Sequence, residues 1–217
     1  MRRGILFVGL LALALLALLP LRWVLAATPV TARSVSGSLW SGRLAAAALP
    51  GLPIGDVAVG LSPLGLFSGA ARFVVDGDTI DGAMLLRRGG RGIEHVTGRL
   101  TPGRIAGLQV AAIDLADVSA GFAAGACTRA MGQVNLLPAG PLQAAGALFG
   151  TPRCDGAALL LPLTSPHARL DLRILADGHY TAALALTGIG EAERVGLLAT
   201  GFQATPDGLA LTVTGQF

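Results

Sequence analysis

From Thr28 to the end of the chain, apolar residues recur at alternate positions in short pieces, and turn residues interrupt them at strand-like intervals. Alternation with period two places successive side chains on opposite faces of an extended strand, so each piece reads as a half-buried β-strand. Around Tyr180, Ala182, Leu184 and Leu186 one face is apolar, while His179, Thr181, Ala183, Ala185 and Thr187 make a smaller, more polar one. The last segment repeats this, with Leu209, Leu211, Val213 and Phe217 alternating with Ala210, Thr212, Thr214 and Gln216. Asp76-Gly77-Asp78 divides Ala71 to Val75 from Thr79 to Leu86, a hairpin signal because Asp-Gly readily supplies the positive φ angles of a tight turn. Arg87 to Gly92, Asp177-Gly178 and Asp207-Gly208 punctuate in the same way. The spacing predicts a meander of antiparallel strands. Helical candidates are short connectors: a turn at Pro63 to Phe67, another at Gly103 to Leu108, and Pro141 to Phe149, interrupted by Gly146. A sheet rich in Gly and Ala with one uncovered face must hide apolar surface by curling, pairing or binding something.

The first 27 residues are of another kind. Arg2 and Arg3 precede an unbroken apolar run from Ile5 to Leu19, then Pro20, Leu21, Arg22 and Trp23 lead into Val24 to Ala27. Two readings are open. A secretory signal fits the basic start and the apolar run, with Val24 and Ala26 as the small residues before a cut. An anchor fits as well, because Ile5 to Ala27 exceeds the roughly 20 residues that span a hydrocarbon core, with Arg22 snorkelling at its outer end and Trp23 in the interfacial belt. The bulky Arg22-Trp23 pair is unusual before a cleavage site and favours the anchor. In either case the positive-inside rule keeps Arg2 and Arg3 in the cytoplasm and exports the remainder. The expected organisation is a single transmembrane helix over residues 1–27 and one periplasmic β domain over 28–217, since no Ser/Pro/Gly-rich linker divides the latter.

Charge and side-chain inventory exclude much. The formal net charge of +3 equals the contribution of Arg2, Arg3 and Arg22, and from Thr28 onward 13 arginines balance 13 acidic residues. A neutral domain carries no electrostatic footprint for nucleic acid. The chain contains no lysine, which removes the P-loop lysine and the Schiff-base lysine together. His95, His167 and His179 are far apart and share no i to i+4 ligand spacing. Ser41, in Leu39-Trp40-Ser41-Gly42, lacks the first glycine of a nucleophile elbow. Gly188-Ile189-Gly190-Glu191 begins like a dinucleotide loop but lacks its third glycine and the preceding parallel unit. Asp114 with Asp117, and Glu191 with Glu193, read as solvated faces or edges of strands, not as catalytic carboxylate pairs. The expectation is a binding protein: no enzyme, no cofactor, no metal.

The segment Ser36-Gly37-Ser38-Leu39-Trp40-Ser41-Gly42-Arg43 is followed further on by Leu61-Ser62-Pro63-Leu64-Gly65-Leu66-Phe67-Ser68-Gly69. Together with the leading apolar helix, this order resembles the type II secretion system protein N family. That family has one inner-membrane helix, a Gly-x-x-Trp-Ser-Gly-like strand, and a strand running into a Pro-Leu turn. Cys127 and Cys154 fall where members carry a cysteine pair flanking Gly-rich strands, and Asp177-Gly178-His179-Tyr180 is similar to their Asp-Gly-x-Tyr hairpin. The chain departs from the pattern at Val59-Gly60, where a tryptophan is expected. The resemblance implies an accessory inner-membrane component of a type II secretion machine, single-pass, with its bulk in the periplasm and other secretion subunits as partners.

The same residues have local readings. Gly37 and Gly42 let a strand enter and leave sharply, and Trp40 offers a large apolar surface, so Gly37, Trp40, Ser41 and Gly42 are either a core plug or a partner contact. The terminal strand from Leu209 to Phe217 is a second candidate contact, as an exposed edge. Cys127 and Cys154 are either bridged, stabilising by roughly 3 to 4 kcal/mol on the chain-entropy model, or two buried thiols; they are too few for a metal site. Two other functions remain beside the secretion reading. An apolar concave face suits a tethered periplasmic carrier of lipid or lipopolysaccharide. The alternation ending at Phe217 imitates an outer-membrane barrel, which requires aromatic girdles that one Tyr and, past the first segment, one Trp do not supply.

Overall fold

The computed structural model describes residues 18–25, 30–49, 52–67, 69–105 and 108–216. The strands it contains form one antiparallel sheet of sixteen among these residues. The first run of strands is β1 (Ser34–Ser38), β2 (Ser41–Leu49), β3 (Leu52–Ser62), β4 (Ala70–Gly77), β5 (Ile80–Arg87) and β6 (Gly90–Leu100). The short β7 (Gly103–Ile105) leads into the two longest, β8 (Leu108–Ala123) and β9 (Ala126–Pro138). Then come β10 (Leu148–Gly150), β11 (Arg153–Asp155), β12 (Ala158–Thr164), β13 (Ala168–Ile174), β14 (His179–Leu186), β15 (Gln203–Thr205) and β16 (Gly208–Gln216). Among the described residues three helices accompany them: α1 (Leu21–Leu25), α2 (Pro63–Phe67) and α3 (Glu191–Ala199), besides a 3-10 segment at Gly140–Ala145.

The predicted punctuation falls at the turns. Gly77 N–H donates to Asp81 Oδ1 at 3.3 Å across the β4–β5 turn, and His179 N–H to Asp177 Oδ1 at 3.0 Å at the start of β14. Leu184, Leu186 and Leu209 are buried while Ala183, Ala185 and Thr212 are exposed or half-buried, as period two requires. Phe217 lies outside the described residues. Neither outermost strand, β1 or β15, pairs with the other, so the sheet is open. It is also curved: the Arg91 guanidinium on β6 donates to the Ala176 carbonyl in the β13–β14 turn, 85 residues later, across the concave side.

Three expectations are corrected. In Gly103 to Leu108, expected as a helical turn, Gly103–Ile105 is β7, paired antiparallel with β8 with Arg104 opposite Gln109, and residues 106 and 107 lie outside the described residues; strand pairing satisfies backbone groups that one isolated turn would leave open. Pro141 to Phe149 divides into the 3-10 segment and β10, with Gly146 at φ 73° ending the turn. Glu191 and Glu193 stand in the first turn of α3, not in strands, where the helix dipole favours acidic side chains.

The expected membrane segment lies largely outside the described residues. Among the described residues no helix is long and apolar enough to cross a membrane. Residues 1–17 of the expected span, and Ala26 and Ala27, lie outside the described residues. Leu19 to Leu21 are in contact with the β domain. Leu39 N–H donates to Leu19 O at 2.9 Å, Pro20 bridges to Ser38, and Leu21 is 2 % exposed. Arg22 and Trp23 therefore ride on a five-residue helix that Leu21 seats on the sheet.

Two apolar clusters line the concave face. The N-terminal one gathers Leu21, Leu39, Leu44, Ala47, Val57 and Leu61. The C-terminal one gathers Leu163, Leu184, Leu186 and Leu209 beneath Leu197 of α3, Phe202 and Leu142, and reaches back to Val96, Val118 and Val134. Ile80 packs against both.

Candidate functional site

The concave face is filled in one half and hollow in the other. Over β12 to β16, α3, the 3-10 segment and the chain just after α3 lay Leu197, Leu142, Ala145 and Phe202 onto the sheet, all at most 8 % exposed. Over β2 to β6 the cover is the short α1, and a groove of about 400 Å³ remains. Parity places its wall: Phe73 pairs with Met84, Met84 with Ile93, Ala71 with Leu86, and Leu44 with Val57, so these side chains share the inner face. Met84, Leu86 and Ile93 are 40 %, 42 % and 37 % exposed there. Among the described residues Asp81 is the one charged member of the lining, and its Oδ1 is tied to Gly77 N–H.

The Gly37 to Gly42 segment turns out to seat the end of the apolar leader. Gly37 stands at φ 85°, and a Cβ there meets the Ser41 carbonyl as it pairs across the tight β1–β2 turn. A Cβ on Gly42 collides with the Leu21 side chain, so this glycine is the notch that receives Leu21. Trp40 is half-buried and packs against the N-terminal cluster, and Ser41 is exposed opposite Ser38. The sequence signal pointed at the motif and missed its partner, because Leu21 reads as lipid-facing in an unbroken apolar run.

Cys127 on β9 and Cys154 on β11 are bonded, with Cα atoms 5.5 Å apart. The bond spans a weak place in the sheet. β10 is three residues long and meets β12 at the single pair Phe149–Thr164, so the start of β9 and the start of β12 are held together by the disulfide and the Cys127 N–H to Ala157 O bond.

Polar side chains assemble differently from their sequence spacing. Asp114 pairs with Arg99 at 2.9 Å, and Asp117 with His95 Nδ1 at 2.6 Å, so the two aspartates do not act together. His95 and Asp117 both sit at φ 51° on facing bulges; their N–H groups donate to Ser119 Oγ and Thr97 Oγ1 at 3.0 and 3.1 Å. These hydroxyls are used on backbone, and both ring and carboxylate are about two-thirds exposed, which describes a bulge clamp and not a nucleophile–base pair. Arg169, hydrogen-bonded to Asp171 at 2.8 Å, has its guanidinium pKa raised by that bond and the adjacent charge, which takes it further from acid–base use. Among the described residues no group of three or more His, Cys, Asp or Glu could hold a metal ion.

Fold and groove define an open, single-sheet antiparallel module with one face half uncovered. The family model for type II secretion system protein N matches residues 28–200, and the chain belongs to that family. Family membership makes it an accessory component of type II secretion. No curated protein and no solved structure matches the chain.

Proposed function

We propose that this protein is a tethered accessory subunit of the secretion machine, held at the inner membrane by its N-terminal apolar segment, with its β domain in the periplasm. It works by binding, without catalysis. The observation that carries this reading is the free edge of β16. Its inner side pairs with β14 from Leu186–Leu209 to His179–Gln216, whereas β15 covers only Gly208 to Ala210 on the other side. Leu211 to Gln216 therefore present an edge that a strand of another subunit can extend.

Lysines at Thr212 and Thr214, both on this edge, block such pairing while leaving the fold intact. The Thr212→Lys, Thr214→Lys double variant should lose co-purifying machine subunits and leave exoproteins in the periplasm. If deletion of the gene leaves secretion unchanged and no machine subunit co-purifies with the wild-type chain, the reading fails. A mature N-terminus at Met1 or Arg2 supports the tether; one at Ala27 or Thr28 removes it, and with it Leu21 from the core.

A further inference from the structure

The groove over β2 to β6 has the dimensions of a single hydrocarbon chain. Along β5 from Ile80 to Leu86 it runs about 20 Å at roughly 3.3 Å per residue, against roughly 15 Å for one leaflet, half of a hydrocarbon core of about 30 Å. Its volume of about 400 Å³ lies within the range of roughly 300 to 1,000 Å³ usual for ligand sites. The lining is apolar apart from Asp81, which sits at the end away from Leu86.

Arginines stand at the mouth. Leu86 and Ile93 stand beside Arg91, which pairs with Leu86, and beside the turn that holds Arg88. Arg88 has no ion pair among the described residues, and Arg91 uses one of its five N–H groups on the Ala176 carbonyl, while Arg87, next to Leu86 on β5, faces the outer surface. The same end of the sheet holds the β1–β2 turn, to which Leu19 is bonded. Leu18 and Leu64, 76 % and 78 % exposed, lie at this end too.

We propose that the groove holds one acyl chain of a membrane phospholipid, with the headgroup phosphate at Arg88 and Arg91. Apolar length, a cationic mouth and the exposed Leu18 and Leu64 at the same end fit this occupant together: the acyl chain leaves water, and the phosphate gains charge-assisted hydrogen bonds. The proposal rests on the tethered reading only for the source of the lipid.

The full chain, purified in detergent with its disulfide intact, is mixed with phosphatidylglycerol carrying a photoreactive diazirine in its acyl chain, irradiated, and mapped by peptide mass spectrometry. Label is expected at Met84, Leu86 and Ile93. Met84→Glu should lower it about tenfold or more, a difference of about 1.4 kcal/mol in occupancy. Val74→Glu is the control: Val74 is 39 % exposed but pairs with Ala83 on the opposite face, so label should stay within about twofold. Arg88→Ala with Arg91→Ala should weaken labelling by the phospholipid and not by a diacylglycerol probe. Label confined to residues 1–17, equal label at Val74 and Met84, or no response to Met84→Glu overturns the proposal. The first of these outcomes would arise if the leader itself filled the groove. Because secretion and co-purification are read on the β16 edge, failure of either reading leaves the other standing.

Discussion

The two halves of the sheet are built from the same alternating strands, yet only one of them closes over its own core. In the C-terminal half, α3 lays Leu197 onto Leu186 and Leu209, and all three are at most 2 % exposed. In the N-terminal half the equivalent cover is one turn of helix carrying Leu21, and Met84, Leu86 and Ile93 stay about 40 % exposed on the inner face. Strand pattern therefore fixes which face is apolar, and the connections decide whether that face is core or binding surface. A nine-residue helix suffices to turn one into the other.

The largest test of that contrast is to uncover the closed half. Leu197→Asp places an unpaired carboxylate against an apolar sheet, which costs about 4 kcal/mol or more and should lift α3 away. Urea denaturation should show the loss, and binding of an apolar dye should rise over wild type; an unchanged dye signal would mean that α3 is not the cover. Next is the staple between the halves. Replacing Cys127 and Cys154 by serine should cost about 3.5 kcal/mol, from the entropy of the loop they close. Hydrogen exchange should quicken at β11 and β12 before it does at β2 and β3, because β10 alone cannot hold β9 to β12.

A smaller effect belongs to the thin cover. Leu21→Ala empties the notch at Gly42 and should cost about 2 kcal/mol, near the lower bound for a buried leucine since one side of the site already faces the groove. The loss should appear as faster exchange in β1 to β3, with β12 to β16 unaffected. Equal loosening of both halves would show that the two clusters act as a single core.

Much of the sheet was legible because its signals are local. The Asp-Gly turns, the alternation through Leu184 and Leu186 and the Pro63 to Phe67 turn depend on neighbouring residues alone, and each is found where it was expected. What the sequence did not disclose depends on distant partners. Glu191 to Ala199 contains Gly196 and follows Gly188 and Gly190, so its helical propensity is weak and its two acidic first-turn residues were the one usable signal. The pairing of His95 with Asp117 needs two bulges to face each other across β6 and β8. Leu21 was misplaced for a deeper reason: an apolar residue is equally content in lipid or in a protein core, and hydropathy cannot distinguish them. The groove was only implied, because a missing cover is not a residue.

The finest test separates stability from occupancy at two positions of equal exposure. Met84 and Val74 are 40 % and 39 % exposed on adjacent strands, Met84 facing the groove and Val74 the outer surface. Each already meets water, so Met84→Ser and Val74→Ser should each cost less than about 1 kcal/mol in purified, lipid-free protein. Added phosphatidylglycerol stabilises only the chain that binds it, since a ligand selective for the native state raises stability by mass action. The thermal midpoint of Val74→Ser should then rise with lipid as the wild type does, and that of Met84→Ser should rise less. Parallel responses would mean that lipid adheres to both faces alike, and the hollow half would lose its claim to be a site.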